Sequence, residues 1–160
     1  MALWTSLEIK KVTGGVGSGD WAVDGISIDS RTLQKGDLFV ALTDKRDGHA
    51  FLYKAFENGA AAALVSHIPE RLTGDSRLIL VVDVLEALKE LAFAARDRFS
   101  GKLIAVTGSV GKTSTKEMLS IALKSQGIVH ASDKSFNNHW GVPLTLARMP
   151  KNTEFAIIEM

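Results

Sequence analysis

The 160-residue chain carries 19 basic and 18 acidic residues, a formal net charge of +1, and 46% hydrophobic residues. This balance is typical of a globular protein, and it lacks the basic excess of a nucleic-acid-binding surface. There is no cysteine, which excludes disulfides and thiolate zinc sites. The chain starts without a signal-peptide pattern and has no apolar run of the roughly 20 residues that cross a bilayer, so we expect a soluble, cytoplasmic protein without membrane insertion.

Short strands dominate the prediction for residues 1–82. Thr5 and Glu8 form a capping-box pattern, which predicts a helix that ends near Val12. The glycine-dense segment 13–19 follows a helix and precedes none, so it predicts a flexible turn and not a nucleotide cradle. The pattern then predicts strands over 21–28, 36–42, 60–66 and 77–82, with a helix over 50–58.

A change of period near residue 83 predicts a domain boundary at 82–84. Asp83 and Glu86 predict the start of a helix that Ser100 and Gly101 end. Apolar residues recur in it at helical spacing, which indicates a face packed in a core. These residues are Leu85, Leu88, Leu91, Ala92, Ala95 and Phe99.

Residues 83–160 continue with alternating strands and helices. Strands are predicted over 103–107, 128–132 and 154–160, with helices over 111–126 and 142–148 between them. This βαβαβ order is half of a doubly wound parallel sheet. The predicted fold class is therefore α/β: a small amino-terminal α/β domain over 1–82, followed over 83–160 by the first half of a P-loop-type parallel-sheet domain.

The segment 107–113, TGSVGKT, has the strand–glycine loop–helix context of a phosphate-binding loop. Its glycines let backbone N–H groups turn toward an anion at a helix start. Lys112 would reach the β- and γ-phosphates of ATP, and the Thr113 hydroxyl would hold Mg²⁺. The general pattern places glycine where this chain has Val106, and an ordinary strand-to-helix turn is the alternative. The predicted nucleotide contacts are Gly108, Ser109, Val110, Gly111, Lys112, Thr113 and Ser114.

Polar residues also follow the other two strands of this predicted sheet. Glu159 ends the third strand, at the sheet edge where ligands gather, so its carboxylate would approach a metal at Thr113; an incidental charge is the alternative. Asn137 and Asn138 follow the second strand and would either reach a ligand or cap the next helix. His139 is a general-base candidate, although a lone loop histidine is more often simply solvated.

Two loops in the first part carry further candidates. Arg31, beside Ser30, is suited to a bidentate phosphate contact. Asp47, Gly48 and His49 form either a ligand-binding loop or a tight turn, and local sequence leaves both readings open.

Taken in order, several motifs resemble those of the Mur ligase family. IDSR at 28–31, GDLFVAL at 36–42 and DGH at 47–49 resemble the amino-terminal domain of that family. Residues 107–114, TGSVGKTS, resemble its ATP loop, including the missing first glycine. SFNNHWGVPLTL at 135–146 resembles the branch of the family that joins D-alanyl-D-alanine to UDP-N-acetylmuramoyl-tripeptide.

The resemblance implies an ATP-dependent ligase that acts through an acyl phosphate in peptidoglycan precursor synthesis. It implies that Ser30, Arg31 and the segment Asp47 to His49 face the UDP end of the sugar substrate. It also implies catalytic roles for Lys112 and Glu159, Mg²⁺ held by Thr113 and Glu159, and Asn137 and Asn138 between nucleotide and sugar substrate.

Two features depart from the family pattern. Asp44 stands where the family often has glycine, in the loop before Asp47. The family has three domains and this sequence stops midway through the second, so the implied partner is the carboxy-terminal remainder that receives the dipeptide. We expect the 160 residues to be inactive as a ligase by themselves. Two alternatives are a small P-loop kinase or NTPase with an amino-terminal binding module, and a non-catalytic UDP-sugar-binding fragment.

Overall fold

The computed structural model describes residues 2–44, 46–133 and 139–160. The chain divides into two compact units, Met1–Leu91 and Ala92–Met160. The division falls within the helix Val84–Asp97 (α3), which begins near the boundary predicted at 82–84. The assignment of separate functions to 1–82 and 83–160 stays a prediction.

The first unit contains a four-stranded parallel sheet in the order β3-β4-β5-β6. Its strands are Gly25–Ser27 (β3), Asp37–Val40 (β4), Ala62–Val65 (β5) and Leu78–Leu80 (β6). All four residues of β4 and of β5 are buried, as near-continuous apolar runs in parallel strands predict. The central strands therefore form the core of this unit, and their ends present the loops that carry the candidate residues.

The predicted strand over 21–28 proves to be two strands in different sheets. Ala22–Val23 (β2) pairs antiparallel with Trp4–Thr5 (β1), whereas β3 joins the parallel sheet. Asp24 separates them, and its N–H donates to the Gly36 carbonyl over 3.1 Å. The alternating pattern does not reveal this change of partner, because it continues through the break.

Three helices belong wholly or partly to the first unit. Ser6–Thr13 (α1) begins with the predicted capping box, in which the Glu8 N–H donates to Thr5 Oγ1 and the Thr5 N–H to the Glu8 carboxylate. Leu52–Glu57 (α2) follows a 3₁₀ turn over Gly48–Phe51. At the start of α3 the Glu86 N–H donates to the Asp83 carboxylate over 2.8 Å, as predicted.

The glycine-dense segment 13–19 is packed against β6, so the prediction of a flexible turn is wrong. Val16 and Leu80 exchange two backbone hydrogen bonds of 2.9 and 2.8 Å. A Cβ at Gly17 would lie 2.5 Å from the Leu78 carbonyl oxygen. The glycines therefore allow a close backbone approach to the sheet.

The second unit has the predicted βαβαβ order. Its elements are Lys102–Val106 (β7), Lys112–Leu123 (α4), Val129–Ala131 (β8), Gly141–Ala147 (α5) and Phe155–Glu159 (β9). The strands are parallel in the order β7-β9-β8, so the last strand of the sequence lies in the centre. This arrangement brings the end of β9 between the loops that follow β7 and β8. Among the described residues, no helix is long and apolar enough to cross a bilayer.

Candidate functional site

The loop between β7 and α4 contains two glycines with positive φ angles. Gly111 is the N-cap of α4 and has a φ of +77°, and Gly108 has a φ of +144°. Residues other than glycine rarely adopt these backbone conformations. No atom outside the chain neighbours lies within 4 Å of a Cβ position at Gly111. The loop therefore leaves space where backbone N–H groups and the helix start can meet an anion.

The predicted phosphate lysine lies across this loop. Lys112 Nζ donates to the Gly108 carbonyl oxygen over 2.8 Å. Ser109, Val110 and Ser114 are exposed around it. The ammonium group is thus placed at the mouth of the loop, where a phosphate group would be neutralised by it.

Thr113 and Glu159 come together from opposite ends of the second unit's sequence. Thr113 Oγ1 lies 3.4 and 3.3 Å from the two carboxylate oxygens of Glu159. β9 pairs with β7 so that Glu159 is opposite Val106, the residue just before the loop. The parallel register therefore delivers the carboxylate to the helix start, as its place at the strand end predicted.

This pair of oxygen donors fits a magnesium ion. Mg²⁺ prefers hard oxygen ligands, and it commonly takes one or two from protein and the rest from phosphate and water. The Thr113 hydroxyl and the Glu159 carboxylate supply such donors beside the phosphate loop. They could hold the ion between them and the bound nucleotide.

Sequence reasoning missed Lys116, which is buried at the same place. Its side chain is 1% exposed, and Nζ donates to the Ser132 carbonyl oxygen over 2.7 Å and lies 3.9 Å from Glu159 Oε2. The spacing of three residues from Thr113 could have indicated a shared helix face. A lysine inside a helix is usually solvated, however, so the sequence offers no signal of burial.

The loop after β8 is described only in part. Asn137 and Asn138 lie outside the described residues, so their predicted roles stay predictions. His139 is exposed and packs edge-on against Trp140, with ring centroids 4.2 Å apart. His130 in β8 is half-buried, its Nε2 is 2.7 Å from the Thr145 carbonyl oxygen, and its partial burial lowers its pKa from 6.5.

In the first unit, Arg31 forms an ion pair with the nearby Asp29. Arg31 Nε and one terminal nitrogen donate to the two carboxylate oxygens of Asp29 over 2.9 and 2.6 Å. The hydrogen bond from Arg31 lowers the pKa of Asp29. The Arg31 side chain is still 79% exposed, so its guanidinium can meet an anion from solvent. Ser30 between them is buried.

Arg31 borders a cavity of about 600 Å³ within the first unit. Arg46 and Lys54 contribute two further cations to its lining, and Phe39, Leu42 and Phe51 contribute apolar surface. Such a mixture suits a ligand that carries both phosphate and an apolar ring face. Ser30 and Gly48 also line it, which brings two predicted segments to one cavity.

The predicted loop Asp47 to His49 forms a tight turn. Asp47 Oδ1 accepts hydrogen bonds from the His49 N–H and Thr43 Oγ1, and lies 2.6 Å from His49 Nδ1. Gly48 is required because a Cβ there would overlap the Leu42 carbonyl oxygen. The structure therefore supports the interpretation of this motif as a tight turn. A contact of the motif with substrate stays a prediction.

His49 is a buried, hydrogen-bonded histidine. Its Nε2 accepts the Ser66 N–H over 2.9 Å, so Nδ1 carries the proton in the neutral ring and donates to Asp47. His67 stacks on it with centroids 3.8 Å apart and ring planes at 22°. Potential ligand atoms of Asp47, His49 and His67 lie within 4.8 Å of one another. Stacked rings cannot both direct a nitrogen lone pair at one ion, so this cluster is a poor metal site.

Two family models match separate parts of the chain. The model described as the Mur ligase middle domain matches residues 106–160, and the one described as the Mur ligase family, catalytic domain, matches residues 22–96. The chain belongs to the Mur ligase family. The middle-domain match covers the phosphate loop, Lys116 and Glu159.

Curated relatives of this family are similar along most of the chain. The UDP-N-acetylmuramoyl-tripeptide–D-alanyl-D-alanine ligase of Rickettsia prowazekii is 40% identical over 158 residues, which cover 99% of this chain and 35% of the relative. The ligase of the same name from Bacillus subtilis is 43% identical over 139 residues, covering 86% and 30%. The chain thus spans about a third of the length of the curated Mur ligases that it matches.

Solved structures of the family are similar as well. The UDP-N-acetylmuramoylalanyl-D-glutamyl-2,6-diaminopimelate–D-alanyl-D-alanyl ligase of Acinetobacter baumannii superposes with a TM-score of 0.82 at 31% identity, covering 98% of this chain and 36% of that one. The MurF ligase of Thermotoga maritima in complex with ADP gives a TM-score of 0.66 at 34% identity, covering 85% and 31%. These likenesses confirm the predicted α/β fold class.

Proposed function

We propose that this chain forms the nucleotide- and UDP-sugar-binding part of an ATP-dependent ligase in peptidoglycan precursor synthesis. The ligase would join D-alanyl-D-alanine to UDP-N-acetylmuramoyl-tripeptide, the reaction named for the relatives that match most of the chain. The observation that carries the proposal is the meeting of the Thr113 hydroxyl and the Glu159 carboxylate beside an open phosphate loop. A relative solved with ADP supports the nucleotide assignment.

The reaction proceeds in two steps. The tripeptide carboxylate attacks the γ-phosphorus of ATP and forms an acyl phosphate, while the bond to the β-phosphate oxygen breaks and ADP leaves. The amine of D-alanyl-D-alanine then attacks the acyl carbon, loses a proton, and expels inorganic phosphate. Catalysis of the first step is chiefly alignment and neutralisation of charge.

The nucleotide part of the site would be supplied by the phosphate loop. Gly108 and Gly111 let backbone N–H groups approach the phosphates, and Lys112 offsets the charge that moves onto the β–γ bridging oxygen. Ser109, Val110 and Ser114 would line the same cradle. Each of these groups lies in the loop before α4 or in its first turn.

The metal part of the site would use Thr113 and Glu159 as oxygen ligands for Mg²⁺. When bound, Mg²⁺ neutralises charge on the β- and γ-phosphates and fixes their geometry. Glu159 is 2% exposed, so its carboxylate is held in place before nucleotide arrives. Thr113 stands on the first turn of α4, directly after the phosphate loop.

The UDP end of the sugar substrate would lie in the first unit. The cavity of about 600 Å³ combines the cations Arg31, Arg46 and Lys54 with apolar and aromatic surface. Ser30 and Arg31 line it, and the turn formed by Asp47, Gly48 and His49 borders it through Gly48. Asn137 and Asn138 are proposed to lie between nucleotide and sugar substrate. We also propose a cytoplasmic location, as the resemblance to this ligase family implies.

Separate calorimetric titrations test this function. We expect both UDP-N-acetylmuramoyl-tripeptide and Mg·ATP to bind the 160-residue chain, and UDP-N-acetylglucosamine, which lacks the lactyl-peptide, to bind more weakly. Binding of ATP alone would favour a P-loop kinase or NTPase, and binding of the UDP substrate alone a non-catalytic fragment. Binding of neither would contradict the proposal.

A turnover assay tests the dependence on further sequence. We expect phosphate release that depends on D-alanyl-D-alanine only when the carboxy-terminal remainder of the ligase is also present. The remainder is expected to bring the dipeptide site, for which residues 1–160 contain no predicted candidate. Dipeptide-dependent turnover by residues 1–160 alone would show that the acceptor site has been mislocated.

A further inference from the structure

Lys116 is a buried lysine in the middle of α4, one helical turn beyond Thr113. Its side chain is 1% exposed, and a buried ammonium group is strongly unfavourable unless partners surround it. It stands behind the phosphate loop, where Lys112 already supplies a cation at the mouth. Lys116 has no role in the proposed reaction steps.

Among the described residues, three oxygen atoms lie near the Lys116 ammonium group. It donates to the Ser132 carbonyl oxygen over 2.7 Å, and it lies 3.4 Å from Glu117 Oε1 and 3.9 Å from Glu159 Oε2. The Glu117 side chain is mostly exposed, whereas that of Glu159 is 2% exposed. The pair with Glu159 is therefore the one that water screens least.

Ser132 also links Lys116 to Glu159 through two hydrogen bonds. The Glu159 N–H donates to Ser132 Oγ over 2.9 Å, while the Ser132 carbonyl oxygen accepts from Lys116. The three residues join α4, the residue after β8 and the end of β9. As a result, the Glu159 carboxylate has the Thr113 hydroxyl within 3.4 Å and the Lys116 ammonium group at 3.9 Å.

We propose that Lys116 is a positioning residue of the nucleotide site. It holds the Glu159 carboxylate toward Thr113 and balances its negative charge while no metal ion is bound. This inference rests on the proposed function, because it assigns Lys116 a role toward Mg²⁺ and nucleotide. In this proposal Lys116 acts on both through the Glu159 carboxylate and binds neither directly.

The electrostatic consequence differs between the metal-free and the metal-bound site. Without metal, an unbalanced Glu159 carboxylate repels the phosphates of a nucleotide in the adjacent loop. With Mg²⁺ bound, the ion itself neutralises that carboxylate, so the contribution of Lys116 becomes small. Loss of Lys116 is therefore expected to weaken metal-free nucleotide binding more than Mg²⁺-dependent binding. A residue needed only for packing would weaken both equally.

The test measures binding of fluorescent mant-ADP to the 160-residue chain in EDTA and in excess Mg²⁺. For Lys116→Met, binding is expected to weaken roughly tenfold in EDTA and less than about threefold in Mg²⁺, given one unscreened charge near the phosphates. Lys124→Met removes an exposed lysine from the end of the same helix and serves as the matched control. Its two affinities are expected to match those of the unmodified chain.

Two further variants separate charge from hydrogen bonding. Lys116→Gln keeps a donor but removes the charge, so it is expected to resemble Lys116→Met. Recovery of metal-free binding by Lys116→Gln would assign the effect to the hydrogen bond with Ser132 and contradict charge balance. In the double variant Lys116→Met/Glu159→Gln the unbalanced carboxylate is gone, and metal-free binding is expected to recover to within about threefold.

Circular dichroism reports whether each variant folds. If both Lys116 single variants unfold but the double variant folds, the result would support charge balance, because the double variant lacks the unbalanced carboxylate. Unfolding of all three, or an equal loss of affinity in EDTA and in Mg²⁺, would make Lys116 merely structural and overturn the inference. If the unmodified chain itself fails to bind mant-ADP in Mg²⁺, the proposed function is contradicted, and the inference with it.

Discussion

Thr113 Oγ1 lies 3.4 and 3.3 Å from the two carboxylate oxygens of Glu159, although 45 residues separate them in the sequence. The parallel pairing of β9 with β7 creates this meeting, because it ends both strands at the same edge of the sheet. Thr113 lies at the end of the phosphate loop, and Glu159 lies at the end of the central strand β9. Their convergence is the observation on which the proposed metal site rests.

The hydroxyl group of Thr113 can be tested by removing it alone. Thr113→Val keeps the shape of the side chain, so we expect an intact fold and a roughly tenfold weaker Mg²⁺-dependent affinity for ADP, about the value of one charge-assisted contact. Its affinity for ADP in the absence of metal should stay within a few fold of that of the unmodified chain. Thr115→Val, on an exposed position of the same helix, is the matched control. An unchanged Mg²⁺ dependence in Thr113→Val would remove this residue from the metal site.

Lys112 is expected to contribute affinity whether or not metal is present. Lys112→Ala removes a cation that would contact phosphate directly, which is worth about 1.5–3 kcal/mol, or roughly ten- to a hundredfold in affinity. Equilibrium binding of mant-ADP measures the change, and Lys124→Ala controls for loss of a surface charge on α4. A folded Lys112→Ala variant that binds as tightly as the unmodified chain would contradict the phosphate-loop assignment.

His130 predicts a pH-dependent stability of the second unit. Burial lowers its pKa from 6.5, against smaller opposing effects of the Thr145 carbonyl and Asp133. The unfolded chain therefore takes up a proton at higher pH than the folded chain does. Stability should fall as pH drops below about 6.5 and level off below the folded pKa. Hydrogen exchange of the β8 and β9 amides between pH 5 and 7.5 measures this slope.

The matched variants for this prediction are His130→Gln and His139→Gln. Glutamine at position 130 keeps a donor for the Thr145 carbonyl but does not titrate, so the slope between pH 5 and 7 should flatten. His139 is exposed, and its replacement should leave the slope unchanged. Equal slopes in all three proteins would show that His130 does not govern the pH dependence.

The extent of the first unit can be tested with two fragments. Residues 1–82 are predicted to fold alone, because the four-stranded parallel sheet lies entirely within them. Residues 1–91 add the buried side chains Val84, Ala87, Leu88 and Leu91, and burying a valine or leucine side chain is worth about 1.5–3 kcal/mol. We therefore expect a higher midpoint of urea unfolding for 1–91. A disordered 1–82 fragment by circular dichroism would contradict the boundary at 82–84.

The local pattern was enough to predict the phosphate loop and the elements around it. Strand β7, the two glycines and the start of α4 are adjacent in sequence, so their chemistry and their structure coincide. Glu159 could be located as well, because parallel strands that end at one edge bring their terminal residues together. The capping box of Thr5 and Glu8 is another short-range feature that was predicted and is present.

Features that depend on distant partners could not be predicted in this way. The strand over 21–28 changes sheets at Asp24, and segment 13–19 packs on β6. The ammonium group of the buried Lys116 contacts Ser132, which follows β8, and lies 3.9 Å from Glu159 at the end of β9. His49 is buried, and its Nε2 accepts a hydrogen bond from the Ser66 N–H, 17 residues away. In each case, residues far apart in sequence decide the environment, and composition near the residue gives no sign of it.

The most direct measurement is hydrogen exchange of the 160-residue chain, with each ligand added separately. Mg·ADP should slow amide exchange over residues 108–114 and leave residues 29–31 and 47–49 unchanged. UDP-N-acetylmuramoyl-tripeptide should slow exchange over 29–31 and 47–49 and leave the phosphate loop unchanged. Protection of the phosphate loop by neither ligand, or by the UDP substrate instead of Mg·ADP, would contradict the nucleotide site at Thr113 and Glu159.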